Sequence, residues 1–401
     1  MEPCTLAALT GFVIQCVRAP GIPADLHRAL CRTLSGLGYP IWRSTLILET
    51  LDPEISGGRS VWSNDGDREM KVTIDSHSRD LSELYEHSPL KIVDETDRPL
   101  RVRLDPPSAQ DLAALPMLVE LQQTGGTDYL ILPLDFQERR RSAALSFTTR
   151  RAGGFSDREI ADLELAVSLI SPVLEVRLMR RITENLISTY VGPRAGASIL
   201  AGQVRRGDGG RIRAAILLSD LRDFTRLTEE LETEVLLDLV NEFFEIVTLA
   251  ANAQGGEVVQ HIGDAILIYF EMPDASGEDE RATGEDSVCA QALTAAQTAL
   301  AQLAEVNIRR HRMGAPEIRC GIGLDFGTVI HGNIGSRRRL SFTVLGDPVN
   351  RAARIENLTK EMGMPLLMSA DFARRTGRTW QSEGLHLLKG VATEIEIARL
   401  P

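Results

Sequence analysis

The sequence has no excess of positive charge. Its 56 acidic residues outnumber 44 lysines and arginines, and the formal net charge is −12. A general nucleic-acid-binding protein needs a basic face to neutralise phosphates. The balance therefore argues against that class and against a nucleic-acid partner, although it leaves room for a local basic pocket.

Cysteine is scarce and irregularly spaced. There are five cysteines, an odd number, and none forms a Cys-x-x-Cys pair. A disulfide framework and a cysteine-based zinc site are both disfavoured, and reduced thiols are the expectation.

Long apolar runs are also missing. No stretch reaches the roughly 18 apolar residues that span a bilayer. The apolar segment at residues 6–17 lacks the basic start of a signal peptide and is interrupted by Thr10, Gly11 and Gln15. We expect a soluble, cytoplasmic protein with no membrane span.

What is present is ordinary globular composition over 401 residues, with 43% hydrophobic and 25% charged residues. Such a length predicts two or three domains. Residues 1–153 alternate between helix-like and strand-like patterns, which predicts a compact α+β domain. His77 and His87 lie in a polar stretch there, and surface histidines are favoured over metal or haem ligands.

A helical linker is predicted at residues 154–210. Ser156 and Glu159 have capping-box spacing, and apolar residues then recur every three or four positions from Ile160 to Leu186. This stripe can pack on its own domain or pair with a second copy. Pro172 predicts a kink or a break.

The second domain is predicted at residues 211–401. An apolar strand at residues 214–218 ends near Asp220, and a hairpin carries Asp264 in its turn. Residues 274–286 are expected to form a solvated acidic loop.

Two carboxylates stand out in this domain. Aspartate is common in turns, so Asp220 and Asp264 taken singly are weak candidates. If their strands are neighbours, both side chains leave one edge of a sheet. Hard divalent ions bind a few carboxylate oxygens together with substrate phosphates, and two such ions can activate a hydroxyl and steady a leaving phosphate.

Two further segments have polar groups suited to a nucleotide. Residues 220–225 turn directly into a helix, so their free N–H groups can cradle phosphates. Asn350 and Arg354 lie four residues apart and share a helix face. An amide beside a guanidinium suits a ribose and a charged phosphate transition state, although alone the two predict only a polar surface.

Together these segments resemble the class III nucleotidyl cyclase catalytic domain, the family of adenylate and guanylate cyclases. The matching stretches, in the family's order, are residues 218–225 (LSDLRDFT), 255–264 (GGEVVQHIGD), 321–327 (GIGLDFG), 331–336 (HGNIGS) and 343–354 (TVLGDPVNRAAR). The resemblance implies an α+β fold with a ferredoxin-like βαββαβ core and extra strands, active as a homodimer.

The resemblance also implies a role for each site residue. Asp220, Asp264 and the Leu221 carbonyl would hold two Mg²⁺ or Mn²⁺ ions, while the 3′-hydroxyl of a nucleoside triphosphate attacks its own α-phosphate and pyrophosphate leaves. Arg354 would steady the α-phosphate and Asn350 the ribose, both from the opposite protomer. The other implied substrate-binding residues are Phe224, Thr225, Lys389, Gln260 and Thr343.

Base selection is where the sequence departs from the family. Adenylate cyclases usually have lysine at the position of Gln260 and guanylate cyclases an acidic residue, whereas Thr343 fits the adenine pattern. Glutamine both donates and accepts hydrogen bonds. ATP is the favoured substrate, with GTP or a pyrimidine triphosphate as alternatives. Asp223 stands where the family often has glycine, and its carboxylate would either repel the phosphates or face solvent. Together with Gln260 it leaves open the alternative that the protein is a nucleotide sensor with weak or no turnover.

The first domain resembles a GAF-type sensory domain in its architecture. That resemblance implies regulation of the catalytic domain through the linker helices and a small-molecule ligand of unspecified type.

Overall fold

The computed structural model describes residues 3–19, 21–52, 55–65, 71–76, 85–106, 115–137, 142–273, 278–389 and 393–401. The chain divides into two compact units, residues 1–186 and 187–401. This division falls inside the predicted linker, and the predicted boundaries at 153 and 210 stay predictions. Within the described ranges no helix is long and apolar enough to cross a membrane.

The N-terminal unit is built on a six-stranded antiparallel sheet with strand order β3-β2-β1-β6-β5-β4. Its strands are β1 (Arg43–Glu49), β2 (Ile55–Ser63), β3 (Lys71–Ser76), β4 (Leu100–Arg103), β5 (Asp128–Pro133) and β6 (Ala143–Thr149). Its shorter helices are α1 (Pro3–Arg18), α2 (Pro23–Gly36), α3 (Pro89–Thr96) and α4 (Pro116–Gln123). The unit is thus α+β, as predicted for the first part of the chain.

Helix α5 (Asp157–Val191) follows and begins at the predicted capping box. The Ser156 N–H donates to Glu159 Oε2 at 2.8 Å, and the Glu159 N–H donates to Ser156 Oγ at 3.3 Å. The apolar stripe packs into the core of the N-terminal unit through Leu163, Val167, Ile170, Leu174, Leu178 and Ile182. The helix continues through Pro172, so the alternative of a break there is wrong.

The C-terminal unit has a sheet of order β13-β14-β12-β10-β7-β9-β8, with β11 paired to β10. Its strands are β7 (Gly209–Leu221), β8 (Glu257–Ile262), β9 (Ala265–Glu271), β10 (Cys320–Gly335), β11 (Leu340–Leu345), β12 (Leu366–Ser369), β13 (Gln381–His386) and β14 (Ile395–Arg399). Its helices are α6 (Pro193–Leu200), α7 (Phe224–Glu230), α8 (Thr233–Asn252), α9 (Glu278–Arg312), α10 (Asp347–Glu361) and α11 (Ala370–Arg375). From β7 to β10 this is the predicted βαββαβ order, with further strands added.

Glycines let α10 lie directly on β10. Alternate residues of a strand share a face, and Gly321, Gly323 and Gly327 all face α10. A Cβ at Gly323 would lie 2.3 Å from the Ala352 carbonyl oxygen, and one at Gly327 would lie 2.8 Å from Pro348. The GIGLDFG stretch therefore has a packing role, since side chains at these positions would push the helix off the sheet.

The predicted acidic loop is mostly helical. Helix α9 already begins at Glu278, and residues 274–277 lie outside the described residues. Glu285, expected to be solvated, instead pairs with Arg213 at 3.1 Å and with Arg375 at 3.2 Å. Its partners come from β7 and α11, which local sequence does not reveal.

The thiols agree with the prediction of reduced cysteine. Among the residues whose side chains the structure describes, Cys16, Cys31, Cys289 and Cys320 are all buried and free.

Candidate active site

Two carboxylates meet at the end of the central strand. Strand β7 pairs with β9 so that Asp220 lies opposite Ala265, and Asp264 occupies the hairpin turn just before that residue. The Leu221 N–H donates to the Asp264 carbonyl at 3.3 Å, which joins the turn to the strand end. The side chains of Asp220 and Asp264 are close enough for the charge of one to act directly on the other. The predicted proximity of these two residues is confirmed.

Their electrostatics favour a cation. Burial, and then the neighbouring Asp264 carboxylate, raise the pKa of Asp220 well above its usual range. A divalent cation between the carboxylates replaces that repulsion with attraction. Among the described residues no cluster of three or more His, Cys, Asp or Glu side chains is assembled for a metal. Two carboxylates with a nearby backbone carbonyl suit Mg²⁺ or Mn²⁺, which complete their shells with water and phosphate oxygens.

The turn after Asp220 has an unusual backbone. Asp223 has φ +60°, in the left-handed region that favours glycine and tolerates Asp or Asn. Its carboxylate forms an ion pair with the Arg319 guanidinium. The first helical bond here runs from the Leu227 N–H to the Asp223 carbonyl, so the N–H groups of Phe224 and Thr225 precede it. Neither sequence alternative for Asp223 accounts for this ion pair.

Another arginine, Arg222, connects the end of β7 to α10. Arg222 pairs with Glu356 at 3.0 Å and donates to the Thr359 hydroxyl. Gly321 leaves the room for it, because a Cβ there would overlap the Arg222 guanidinium. Glu356 is 3% exposed, and its charge contributes to the raised pKa of Asp220. The carboxylate pair is thus linked to the inner face of α10.

Asn350 and Arg354 lie on the outer face of the same helix. Both are exposed, whereas Ala352 and Ile355 are fully buried against the sheet. The prediction that Asn350 and Arg354 share a helix face is consistent with their placement one turn apart on α10. Within one chain they are therefore on the side of α10 opposite to Glu356.

The residues expected to contact the base lie on two strands. Gln260 is partly buried on β8, and Thr343 is buried on β11. Strands β8 and β11 contact each other. Lys389 is exposed and follows Leu388, which is buried in a small core with Ile355. Of the earlier histidines, His87 is exposed and His77 lies outside the described residues.

Arg319 and Arg222 were missed because their placement depends on strand pairing. The β7–β10 register sets Cys320 opposite Leu221, and the Arg222 N–H donates to the Arg319 carbonyl at 2.8 Å. The only sequence signal was an arginine two residues before the GIGLDFG stretch, and its role can be recognised only once that register is known.

Residues 211–371 match the family model described as the adenylate and guanylate cyclase catalytic domain. The C-terminal unit therefore contains a class III nucleotidyl cyclase catalytic domain, as the resemblance predicted. The match begins at residue 211, and the GAF-like assignment of the N-terminal unit stays a prediction.

Curated relatives match over part of their length. An adenylate cyclase of Anabaena cylindrica is 29% identical over 221 residues, which cover 54% of this chain and 42% of that protein. Adenylate cyclase 1 of Rhizobium meliloti (strain 1021) is 29% identical over 159 residues, which cover 40% of this chain and 23% of that protein. The chain thus spans less than half the length of either relative.

Among solved structures, a bacterial light-regulated adenylyl cyclase is 30% identical, with 47% of this chain and 90% of that chain covered and a TM-score of 0.39.

Proposed function

We propose that the protein is an adenylate cyclase that converts ATP to 3′,5′-cyclic AMP and pyrophosphate. The observation that carries the proposal is the adjacency of Asp220, at the end of β7, and Asp264, in the β8–β9 turn, inside the matched cyclase domain. The relatives at 29% identity are named adenylate cyclases, which favours ATP among the nucleotides.

The chain's own residues bind and orient the substrate. Asp220 and Asp264, with the Leu221 carbonyl, would hold two Mg²⁺ or Mn²⁺ ions, which when bound activate the 3′-hydroxyl and neutralise phosphate charge. The N–H groups of Phe224 and Thr225 bind phosphate oxygens at the turn. Lys389 supplies a further positive charge for the triphosphate, and Gln260 with Thr343 contacts the base.

A homodimer completes each site. Asn350 and Arg354 are exposed on the outer face of α10, whereas the metal-binding carboxylates are linked to its inner face through Glu356. A second protomer can bring its Asn350 to the ribose and its Arg354 to the α-phosphate, where the guanidinium stabilises the charge of the transition state. Two equivalent sites then form at the interface.

The N-terminal unit regulates turnover in this proposal, in response to a small ligand. Helix α5 is continuous from Asp157 to Val191, and Gly192 joins it to α6 in the C-terminal unit. There the Arg194 N–H donates to Glu257 on β8, the strand that carries Gln260. A shift of this segment would therefore be transmitted to the β8–β9 hairpin, whose turn contains Asp264.

The deciding experiment is turnover of the purified full-length protein with Mn²⁺ and each of ATP, GTP, CTP and UTP, with products identified by mass. Cyclic AMP as the dominant product supports the proposal. If another cyclic nucleotide dominates, the cyclase function stands but the substrate is not ATP. Gln260 leaves this alternative open.

A nucleotide sensor without turnover is the second candidate, favoured by Asp223 beside the phosphate-binding turn. Asp264→Ala separates the two, because it abolishes cyclase turnover while a sensor keeps its binding to protein partners. A folded wild-type dimer that binds ATP and forms no cyclic product under any condition would favour the sensor.

A further inference from the structure

One buried ion pair anchors the start of helix α10. Of the four alternate β10 positions that face this helix, Gly321, Gly323 and Gly327 have no side chain, and the fourth is Asp325. Asp325 is 2% exposed. Among these four positions it is therefore the only one with a side chain that can hold the helix, and the next residue of the row, Val329, contributes apolar packing.

Both oxygens of the Asp325 carboxylate have partners. The Arg351 Nε donates to Oδ2 at 2.5 Å, and the Ser369 hydroxyl donates to Oδ1 at 2.6 Å. Arg351 also donates from a terminal nitrogen to the Phe326 carbonyl at 3.2 Å. Charge-assisted bonds of this kind are strong and directional, so they fix both the depth and the rotation of the helix at residue 351.

Arg351 lies directly after Asn350 and three residues before Arg354. The helix begins at a glycine N-cap, Gly346, which has no side chain to hold the first turn. Pro348 packs against Gly327 but forms no polar bond there. The pair of Asp325 and Arg351 is thus the charged link between the first turns of α10 and the sheet.

We propose that Asp325 and Arg351 are positioning residues that hold Asn350 and Arg354 in register for the transition state. The proposal rests on the cyclase function proposed above. A misplacement of about 1 Å in such a contact costs on the order of 100-fold in rate. Most of the proposed substrate contacts, namely the turn at residues 221–225, Gln260, Thr343 and the metal-binding carboxylates, lie outside α10. We therefore expect KM to change less than kcat when the helix shifts.

The test compares Arg351→Met with a matched control, Arg310→Met, in the full-length protein. Arg310 also pairs with a carboxylate, Glu242 at 2.6 Å, and with a backbone carbonyl, that of Pro316 at 2.6 Å, but it lies on α9. We expect Arg351→Met to lower kcat by about tenfold or more while KM stays within about threefold. Arg310→Met should lower thermal stability and leave kcat within about twofold at a temperature where it is folded.

A double variant separates positioning from folding. Replacing a buried ion pair by apolar residues is often neutral for stability, so Asp325→Leu with Arg351→Met should melt near the wild type and still lose kcat. Arg351→Lys keeps the positive charge but cannot bond Asp325 and the Phe326 carbonyl with the geometry of a guanidinium. Its kcat should lie between those of Arg351→Met and the wild type.

Amide hydrogen exchange over residues 347–354 gives a readout that needs no turnover. Faster exchange there in Arg351→Met than in Arg310→Met supports the anchoring. Unchanged exchange, or a kcat equal to that of the control, would overturn the proposal. A wild-type protein that makes no cyclic nucleotide, with exchange raised as expected, would instead refute the cyclase function and leave the anchoring supported.

Discussion

The Asp223 carboxylate, held on a left-handed backbone at φ +60°, is ion-paired with Arg319, the residue just before β10. The pair brings a guanidinium and a carboxylate together beside the turn proposed to bind phosphates. The charge of Asp223 is thereby partly neutralised, but the same bond occupies a cation that an anionic substrate would attract.

We predict that Asp223→Asn lowers KM for the nucleotide by a few-fold, about 1 kcal/mol, because a negative charge leaves the turn and Arg319 is released. Asn tolerates the left-handed conformation, so the backbone is preserved. Asp223→Gly is the matched variant that also relieves the backbone. If only Asp223→Gly lowers KM, the effect comes from the backbone and not from the charge. If both variants raise KM, the ion pair with Arg319 stabilises the turn and the prediction is wrong.

The pair of Asp220 and Asp264 makes a second prediction. Asp264→Asn removes one of two adjacent negative charges, so the metal-free protein should become more stable. It should also lose the rise in melting temperature that Mn²⁺ gives the wild type, and turnover should fall at least about 100-fold. Thermal melts with and without Mn²⁺ test this. A Mn²⁺-dependent rise that persists in Asp264→Asn would place the cation elsewhere, and Asp238→Asn on α8 controls for the loss of an exposed acid.

These relationships indicate what could be read from the sequence. The position of Asp264 in a hairpin turn was predictable because Gly-Asp between two apolar runs specifies such a turn. The shared helix face of Asn350 and Arg354 was predictable because the two residues are four apart. The ion pairs of Arg319, Glu285 and Arg351 were not predictable. Each joins residues from elements far apart in the chain, and the charge pattern around each residue looks like an ordinary solvated surface. The predicted alternative of a break at Pro172 was wrong because tertiary packing along the buried stripe outweighs the local preference of proline, whereas a kink there stays a prediction.

Base selection is tested by Gln260→Lys. If Gln260 contacts the base, lysine should favour adenine, since the family's adenylate cyclases have lysine there. We expect the ratio of kcat/KM for ATP to that for GTP to rise about tenfold, because a hydrogen bond from a charged group contributes roughly 1.5 kcal/mol. His261→Lys is the control, because it adds the same charge to the next residue of β8, which lies on the other face of the strand. An equal change in both variants would mean that charge alone is responsible.

The contact between Glu257 and the segment after α5 should contribute to stability. Glu257 is 6% exposed, accepts the Arg194 N–H at 2.9 Å and accepts the Tyr269 hydroxyl at 3.2 Å. Glu257→Gln weakens these bonds in a buried site and should cost about 1–3 kcal/mol of unfolding free energy. Glu271→Gln alters the more exposed partner of the same arginine and should cost less than about 1 kcal/mol. Urea unfolding of both variants measures the difference, and equal losses would remove the special role of Glu257.

His27 should make the N-terminal unit sensitive to acid. Its Nε2 lies 2.9 Å from the Ser44 hydroxyl and its Nδ1 lies 2.9 Å from the Ser60 hydroxyl. Ser44 donates its own proton to the Ser146 carbonyl, so Nε2 bears the hydrogen and Nδ1 accepts from Ser60. Burial lowers the pKa of His27 from 6.5 to about 3, which means that the folded protein requires the neutral ring.

Because the folded pKa lies below the unfolded one, this contribution to stability is complete above pH 6.5 and is lost as the pH falls from 6.5 towards 3. The loss is about 1.4 kcal/mol per pH unit. His27→Gln cannot titrate, so between pH 6.5 and 5 the wild type should lose about 2 kcal/mol relative to it in urea unfolding. His87→Gln, at an exposed histidine, should follow the wild type. A wild type and a His27→Gln variant with parallel pH dependence would show that His27 is protonated at no cost in the folded state.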